Sequence, residues 1–299
     1  MLILISDAFD ASLPGRLAEL GEVTDDKDRL ADAEVVLVRS KTKCTADYID
    51  HAPELKLIIR GGVGLDNVDI EAAAKKGIAV HNTPEASSIA VAELAMALML
   101  GAACNVGRGH VGMSEGRWLK KELERVELNG KTLGLLGIGR IGREVALRAR
   151  AFGMRVVAHD PFVSESDAVD ALVSLEALLE SAHVISLHTP LTDDTRGLLD
   201  TERLDRCQRG VIVVNTGRAE VVDEAAMVAA LENGQVGCYA TDVWISDPPP
   251  DDCPLLDSER VLMTPHIGAS TTENLLRIGD IIFDKISAYK AGTLDGGAA

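Results

Sequence analysis

Short apolar runs alternate with helical patterns along almost the whole chain. The runs are Leu2–Ser6, Val35–Arg39, Leu57–Arg60, Ala79–Asn82, Leu133–Gly137, Arg155–His159, Val184–His188 and Val211–Asn215. Strands that alternate with helical segments are typical of βαβ units, whose strands pair in parallel. The pattern therefore predicts an α/β protein built from doubly wound, Rossmann-like parallel sheets.

Two changes in the pattern predict a division into domains. Residues 1–97 form one alternating block, and a helical pattern from Ser87 to about Arg108 leads into a second block that opens at Gly130. The amphipathic pattern from Thr272 to Tyr289 has no strand after it. We therefore expect a first domain at 1–97, an inserted cofactor domain at 98–270, and a last helix at 271–299 that returns to the first domain.

Composition excludes several classes of partner. The formal charge of −17 argues against nucleic acid and anionic membrane, because phosphate binding needs clustered Lys and Arg. The five cysteines form no CxxC pair and show no zinc-ligand spacing, so we expect no metal site. There is no apolar stretch of membrane-spanning length, and the opening residues lack the basic region and cleavage site of a signal peptide, so we expect a cytoplasmic protein.

A glycine-rich turn follows the predicted strand Thr132–Leu136 and opens a helix. In the series Gly137, Gly139 and Gly142, the first allows a tight turn, the second lets the backbone approach a pyrophosphate, and the third allows the helix to pack closely. The next strand ends at Asp160, where a carboxylate can bind the adenosine ribose and repel a 2′-phosphate. The sequence therefore predicts a dinucleotide site that prefers NAD to NADP.

Three polar residues each follow a later apolar run that predicts a strand: Arg218 follows Val211–Asn215, Asp247 follows Cys238–Val243, and His266 follows Val261–Pro265. Arg218 offers a planar donor fork for a carboxylate, His266 can move a proton near neutral pH, and Asp247 can fix the tautomer of the imidazole. Each residue also has a simpler interpretation: a surface arginine beside Glu220, a structural histidine, and a turn-starting Asp before Pro248. Because the carboxyl ends of parallel strands face one crevice, we expect a hydride-transfer site with Arg218, Asp247 and His266 as its catalytic set.

The ordered motifs along the chain resemble those of a known family. They are Val38-Arg39-Ser40, the stretch Arg60–Asp69, Asn82-Thr83-Pro84, Ala92-Glu93-Leu94, the glycine turn, His188-Thr189-Pro190-Leu191, Asn215–Arg218 and Pro265–Ala269. Together they resemble the D-isomer-specific 2-hydroxyacid dehydrogenases, most closely the D-3-phosphoglycerate dehydrogenase branch. The resemblance implies an NAD-dependent enzyme acting on a small 2-hydroxy or 2-oxo acid, with the three residues above as its catalytic set.

The resemblance also assigns residues to the cofactor and the substrate. It implies that the cofactor contacts Arg140, Ile141, Asp160, Thr189, Thr216, Asp242 and Gly268, with Asp242 at the nicotinamide amide. It implies that the backbone amides of Gly62, Val63 and Gly64 hold the substrate carboxylate, and that Arg39 and Arg60 lie near a substrate phosphate. Trp118 and the segment Met113–Glu127 resemble the arm through which family members pair, so a homodimer is expected, although the segment could equally be core.

The chain departs from the family pattern at two points. The acid is Asp247 where the family usually has Glu, so its carboxylate is drawn back by about 1.5 Å, roughly one bond length. Either the loop moves inward or a water bridges Asp247 to His266. The chain also ends at Ala299, without the regulatory domains of many phosphoglycerate dehydrogenases, so feedback by serine is not expected.

The function expected from these features is oxidation of 3-phosphoglycerate to 3-phosphohydroxypyruvate, a step of serine biosynthesis. The alternatives within the enzyme class are a glyoxylate or hydroxypyruvate reductase and a D-lactate dehydrogenase, since only the substrate pocket separates them. A non-enzymatic alternative is an NAD-sensing interaction protein like the corepressors that keep this fold. Retention of all three reacting positions favours an enzyme.

Overall fold

The structure, a computed structural model, describes residues 1–295 and forms two compact units. One unit comprises Met1–Ser87 and the residues from Ala269 onward, and the other comprises Ser88–Gly268. The first crossing between units falls at Ser87, whereas the sequence pattern suggested residue 97; the second falls at Gly268, close to the expected residue 270. Each unit contains one parallel sheet, which confirms the predicted fold class.

The first unit has a five-stranded sheet in the order β2-β1-β3-β4-β5. Its strands are β1 Leu2–Ile5, β2 Glu22–Thr24, β3 Val35–Val38, β4 Leu57–Arg60 and β5 Ala79–Asn82. Its helices are α1 Leu13–Leu17, α2 Ala46–Asp50, α3 Ile70–Lys75 and, after the second unit, α10 Thr272–Lys290, with a 3₁₀ turn at Lys27–Asp32.

Both faces of this sheet are covered by helices. Val35 and Leu37 of β3 pack with Ile278 of α10 and with α1, whereas Val36 and Val38 pack on the opposite face with α2 and α3. Side chains alternate across a strand, so a strand covered on both faces must be apolar at every position. This is why β3 reads as an unbroken apolar run.

The second unit has a seven-stranded sheet in the order β12-β11-β10-β9-β6-β7-β8. Its strands are β6 Thr132–Leu136, β7 Arg155–His159, β8 Ala171–Leu172, β9 Val184–Leu187, β10 Val211–Asn215, β11 Val236–Thr241 and β12 Val261–Met263. Its helices are α4 Ser88–Ala103, α5 Val106–Ser114, α6 Arg140–Ala151, α7 Leu175–Ser181, α8 Thr201–Arg206 and α9 Glu224–Glu232, with a 3₁₀ turn at Ala219–Val221. Helices α4 and α6 cover one face and α7, α8 and α9 the other.

The prediction of one helix from Ser87 to about Arg108 is wrong. The helix ends at Ala103 and α5 starts at Val106, because Asn105 between them adopts a left-handed conformation with φ of 53°. A left-handed residue cannot continue a right-handed helix, and Asn tolerates that region better than most residues. Among residues 1–295 no single helix is long and apolar enough to cross a membrane, and α4 and α5 pass that test only as a pair bent by 65°.

Candidate active site

The glycine turn lies where β6 ends and α6 begins. Gly137 has a φ of 92°, and a Cβ at that position would lie 2.8 Å from the carbonyl oxygen of His188. A Cβ at Gly142 would lie 2.5 Å from the carbonyl oxygen of Gly137. By contrast, a Cβ at Gly139 would meet nothing within 4 Å. Two glycines therefore permit the tight turn, and the third leaves open space over the start of α6.

Asp160 ties the end of β7 to this turn. Its Oδ2 accepts the Ile138 N–H at 3.0 Å, and its Oδ1 accepts the Phe162 N–H at 3.0 Å. The carboxylate is thus held at the rim of the glycine turn, which is where the ribose of a dinucleotide would meet it.

Several buried polar atoms just past β9 and β10 have no hydrogen-bond partner among the described residues. Nδ1 of His188, Oγ1 of Thr189 and Oγ1 of Thr216 are buried and unbonded within the described part of the chain. Buried polar groups are normally hydrogen-bonded, so unbonded ones are suited to a ligand. Withdrawal of the His188 imidazole from water lowers its pKa to about 4.

The first turn of α6 suits an anion. It contains no acidic residue, and it begins with the exposed Arg140. Free N–H groups and partial positive charge at a helix N-terminus favour phosphate. Of the predicted cofactor residues, Gly137, Gly139, Arg140, Gly142 and Asp160 therefore lie together where α6 begins, and the Ile141 side chain packs against the core.

The predicted catalytic residues follow neighbouring strands of the same sheet. Arg218 comes after β10, Asp247 after β11 and His266 after β12, and these three strands are adjacent and parallel. His266 Nδ1 lies 2.5 Å from Asp247 Oδ2. Both side chains are about half exposed, at 43% and 47%. Asp247 therefore reaches the imidazole directly despite its shorter side chain, and no bridging water is needed.

The backbone around these residues is fixed by buried polar side chains, Asn215 and Asp242, whose role there was not predicted from the sequence. Asn215 donates from Nδ2 to the Arg218 carbonyl at 2.9 Å and accepts the Gly217 N–H at 3.0 Å. Asp242, expected at the nicotinamide, accepts N–H bonds from Ile267 and Gly268 in the structure. The signal available in the sequence was their position, at the end of β10 and directly after β11.

The predicted substrate residues belong to the first unit and follow its central strands. Arg39 comes directly after β3, its N–H donates to Asp7 Oδ2 at 2.6 Å, and its carbonyl accepts a bond from Asn67. Nε of Arg39 is buried without a partner among the described residues, and burial lowers the pKa of this guanidinium. Arg39 is thus held in a fixed turn with donor capacity left over.

Arg60 and the glycine loop lie together at the end of β4. A Cβ at Gly62, where φ is 150°, would lie 1.7 Å from Nη1 of Arg60, so the guanidinium rests against the glycine backbone. The loop is fixed by Asn82, whose Nδ2 donates to the Val63 carbonyl at 2.5 Å, and by the Thr83 N–H, which donates to the Gly62 carbonyl. Only glycine at 62 allows this packing, because any side chain would displace Arg60.

The fold and the glycine turn define a dinucleotide-binding protein. Residues 96–268 match the NAD-binding domain of the D-isomer specific 2-hydroxyacid dehydrogenases. The chain belongs to that family, which makes it an NAD-dependent oxidoreductase of D-2-hydroxy acids.

Similar proteins agree with this assignment. The chain is 46% identical to a hydroxypyruvate reductase of Thermotoga maritima, over 86% of this chain and 85% of the relative. It is 42% identical to a D-3-phosphoglycerate dehydrogenase of Methanocaldococcus jannaschii, over 98% of this chain but 58% of that protein. It also resembles the crystal structure of a D-lactate dehydrogenase from Aquifex aeolicus complexed with NAD and lactic acid, with a TM-score of 0.87, 29% identity and coverage of 99% and 97%. The chain thus spans little more than half the length of that phosphoglycerate dehydrogenase.

Proposed function

We propose that the chain interconverts 3-phosphoglycerate and 3-phosphohydroxypyruvate, and so serves serine biosynthesis. The observation that carries a dehydrogenase mechanism is the 2.5 Å contact between His266 Nδ1 and Asp247, at the same sheet edge as the glycine turn. A carboxylate on Nδ1 fixes the tautomer and leaves Nε2 for the substrate hydroxyl.

Bound NAD supplies the hydride acceptor. We propose that Arg218 binds the substrate carboxylate with its planar fork and holds C2 in place. His266 takes the hydroxyl proton at Nε2 as C2 loses its hydride and the carbonyl forms, and it returns that proton in the reverse direction. Asp247 stabilises the imidazolium that forms when His266 holds this proton.

The substrate phosphate is assigned to the basic residues of the first unit. We propose that Arg39 and Arg60 bind the phosphate and that the amides of Gly62 to Gly64 bind the carboxylate. The unpartnered, buried Nε of Arg39 supports this assignment, because a phosphate oxygen would satisfy it.

One observation favours a second candidate, a hydroxypyruvate reductase. The Thermotoga maritima relative carries that name and is matched over most of its own length, unlike the phosphoglycerate dehydrogenases. Hydroxypyruvate has no phosphate, so the two candidates differ in whether Arg39 contributes to substrate binding.

A substrate panel decides between them. Purified protein is assayed with NAD and 3-phosphoglycerate, glycerate or lactate, and with NADH and 3-phosphohydroxypyruvate, hydroxypyruvate or glyoxylate, and kcat/KM values are compared within one direction. We expect the highest kcat/KM for the phosphorylated acid. Equal or better values for hydroxypyruvate would favour the reductase, and no turnover with any acid would refute the proposed mechanism.

Arg39→Ala is the matching variant. Loss of a charge-assisted hydrogen bond worth about 1.5–3 kcal/mol should raise KM for 3-phosphoglycerate by roughly 10- to 150-fold and leave glycerate unaffected. Arg29→Ala is the control, because Arg29 is a partly exposed arginine of the same unit that pairs with Glu22. Equal effects of Arg39→Ala on both acids would remove the phosphate from the proposal.

His266→Ala tests the proton transfer. Removal of a general acid and base should lower kcat by roughly 10²- to 10⁴-fold while the affinity for NADH stays nearly constant. Calorimetry measures that affinity without turnover. Unchanged kcat would exclude His266 from the mechanism.

We further propose a homodimer in the cytoplasm. The support for pairing is an exposed apolar surface on α5 and the segment after it, where Met113 is 59% and Trp118 73% exposed. Light scattering on the wild type and on Trp118→Glu tests this. A wild type that is monomeric at assay concentrations would contradict it.

A further inference from the structure

His266 has an unusual backbone conformation. Its φ is 53°, and Asn105 is the only other non-glycine residue in the described chain with a positive φ. The left-handed region costs an L-residue roughly 1–2 kcal/mol, so such a conformation persists only where neighbouring contacts impose it.

Three of the hydrogen bonds that hold this turn end on one carboxylate, that of Asp242. Asp242 Oδ1 accepts the Ile267 N–H at 2.8 Å and the Thr264 hydroxyl at 2.6 Å, and Oδ2 accepts the Gly268 N–H at 2.8 Å. These donors lie on both sides of His266 along the chain. Asp242 itself is 2% exposed and is anchored by its own N–H, which donates to the Asn215 carbonyl at 3.0 Å.

We propose that Asp242 is a positioning residue for His266. Its carboxylate holds the turn at 264–268 with His266 in the left-handed conformation and thereby aims the imidazole. This inference rests on the proposed role of His266 in proton transfer. It differs from the role that the resemblance implies, in which Asp242 acts on the nicotinamide amide.

Gly268, two residues after His266, allows the turn to lie close to the Asp242 carboxylate. A Cβ on Gly268 would lie 3.0 Å from Asp242 Oδ2, closer than ordinary van der Waals contact. The turn can approach the carboxylate this closely only because position 268 has no side chain. Trp244 adds a further bond, from Nε1 to the Thr264 carbonyl at 3.0 Å.

Asp242→Asn is the principal test. The amide has the same shape, but its NH₂ cannot accept, so one of the two backbone N–H groups loses its acceptor and meets a donor. We expect the amide proton signals of Ile267 and Gly268, observed in protein labelled with ¹⁵N at isoleucine and glycine, to move upfield. We expect kcat to fall by roughly 10- to 100-fold, since a displacement near 1 Å can cost about 10²-fold, while Kd for NADH changes less than about threefold.

Thr264→Val is the matched control, because it removes the hydroxyl bond and keeps both backbone bonds. Its amide signals should move less than those of Asp242→Asn, and its kcat should fall less. An equal or greater effect of Thr264→Val would overturn the assignment of the positioning role to the backbone bonds.

A cofactor analogue separates the two roles of Asp242. In 3-acetylpyridine adenine dinucleotide the carboxamide NH₂ is absent. If Asp242 positions His266, Asp242→Asn lowers kcat by the same factor with NAD and with the analogue. If the variant lowers kcat only with NAD, or leaves the amide signals of Ile267 and Gly268 unchanged, the proposal is overturned.

Two further measurements test the positioning role of Asp242. If Asp242→Asn does not fold, amide exchange in the wild type decides: slow exchange at Ile267 and Gly268 supports the bonds, and exchange as fast as in a free peptide refutes them. His266→Ala distinguishes this inference from the proposed function. Retained turnover in His266→Ala refutes the role of His266, whereas unchanged turnover in Asp242→Asn with inactive His266→Ala refutes the positioning role alone.

Discussion

Acid should destabilise the second unit through His188. Nε2 of this imidazole is 2.9 Å from the Ser186 hydroxyl, and Nδ1 is buried without a partner among the described residues. A proton on the ring would therefore add a charge where water cannot solvate it, which is why the pKa is lowered from 6.5 to about 4.

The sign and size of the effect follow from linkage. A histidine with a lowered pKa binds its proton more readily in the unfolded chain, so it contributes stability above pH 6.5 that is lost as the pH falls towards 4. With 6.5 for the unfolded chain and about 4 for the fold, the free energy of unfolding should drop by up to about 2 kcal/mol between pH 8 and pH 5.

His188→Gln isolates this contribution, because glutamine does not titrate. The free energy of unfolding is measured in urea at pH 5 to 8 by tryptophan fluorescence, which reports on the second unit because Trp118 and Trp244 both lie there. The advantage of the wild type over the variant should shrink by about 2 kcal/mol towards pH 5. His110→Gln, at an exposed position of the same unit, is the control, and its difference from the wild type should stay flat. A pH-independent difference for His188→Gln would refute the reasoning.

Three further predictions concern the glycine turn, a buried amide and the charge of the chain. Gly139→Ala should fold with unchanged stability, because its Cβ meets no protein atom, yet calorimetry should show weaker binding of NADH, because the Cβ occupies the approach to the pyrophosphate. Gly142→Ala should also lower the melting temperature, because its Cβ would clash with the backbone of Gly137. Equal stability of the two variants would contradict this. Asn274→Ala should lower the free energy of unfolding by about 1–3 kcal/mol in a denaturant titration. The reason is that Asn274 Nδ2 donates to the buried Ser87 hydroxyl and to the Ala269 carbonyl. A loss below about 0.5 kcal/mol would mean that these acceptors find other partners. Raising KCl from about 0.1 to 1 M shortens the Debye length from about 10 to 3 Å and so screens the mutual repulsion of a chain with a net charge of −17. The melting temperature, measured by differential scanning calorimetry, should therefore rise. A flat or falling melting temperature would show that ion pairs outweigh this repulsion.

The fold could be predicted from the sequence wherever a strand is covered on both faces. Strand β3 is apolar throughout for that reason, and β4 and β10 are apolar up to their last residues, Arg60 and Asn215. The short edge strands Glu22–Thr24 and Ala171–Leu172 were missed, because they are only partly buried and carry no such run. The break at Asn105 was missed as well, since the sequence permits a left-handed residue there without requiring one.

The placement of the candidate site followed from the order of the strands. Arg218, Asp247 and His266 come after β10, β11 and β12, and adjacent parallel strands end at one edge. Whether Asp247 reaches His266 could not be predicted, because the path of the loop between β11 and β12 depends on packing elsewhere. The direct contact shows that the path of this loop offsets the bond length that Asp lacks relative to Glu.

Asn215 and Asp242 hydrogen-bond to the backbone of the turns that carry Arg218 and His266, and residue type alone could not reveal these bonds. Both side chains act on amides or carbonyls, and any residue except proline supplies an amide, so the sequence around Arg218 or Ile267 carries no sign of its partner. Asp242 is linked to Asn215 through its own N–H, so the turn that carries Arg218 and the turn that carries His266 share one hydrogen-bonded support. A substitution of Asn215 or of Asp242 should therefore displace both the Arg218 guanidinium and the His266 imidazole. Double substitution of Asn215 and Asp242 should accordingly lower kcat by less than the product of the two single effects, whereas a fully multiplicative loss would show that the two turns are held independently.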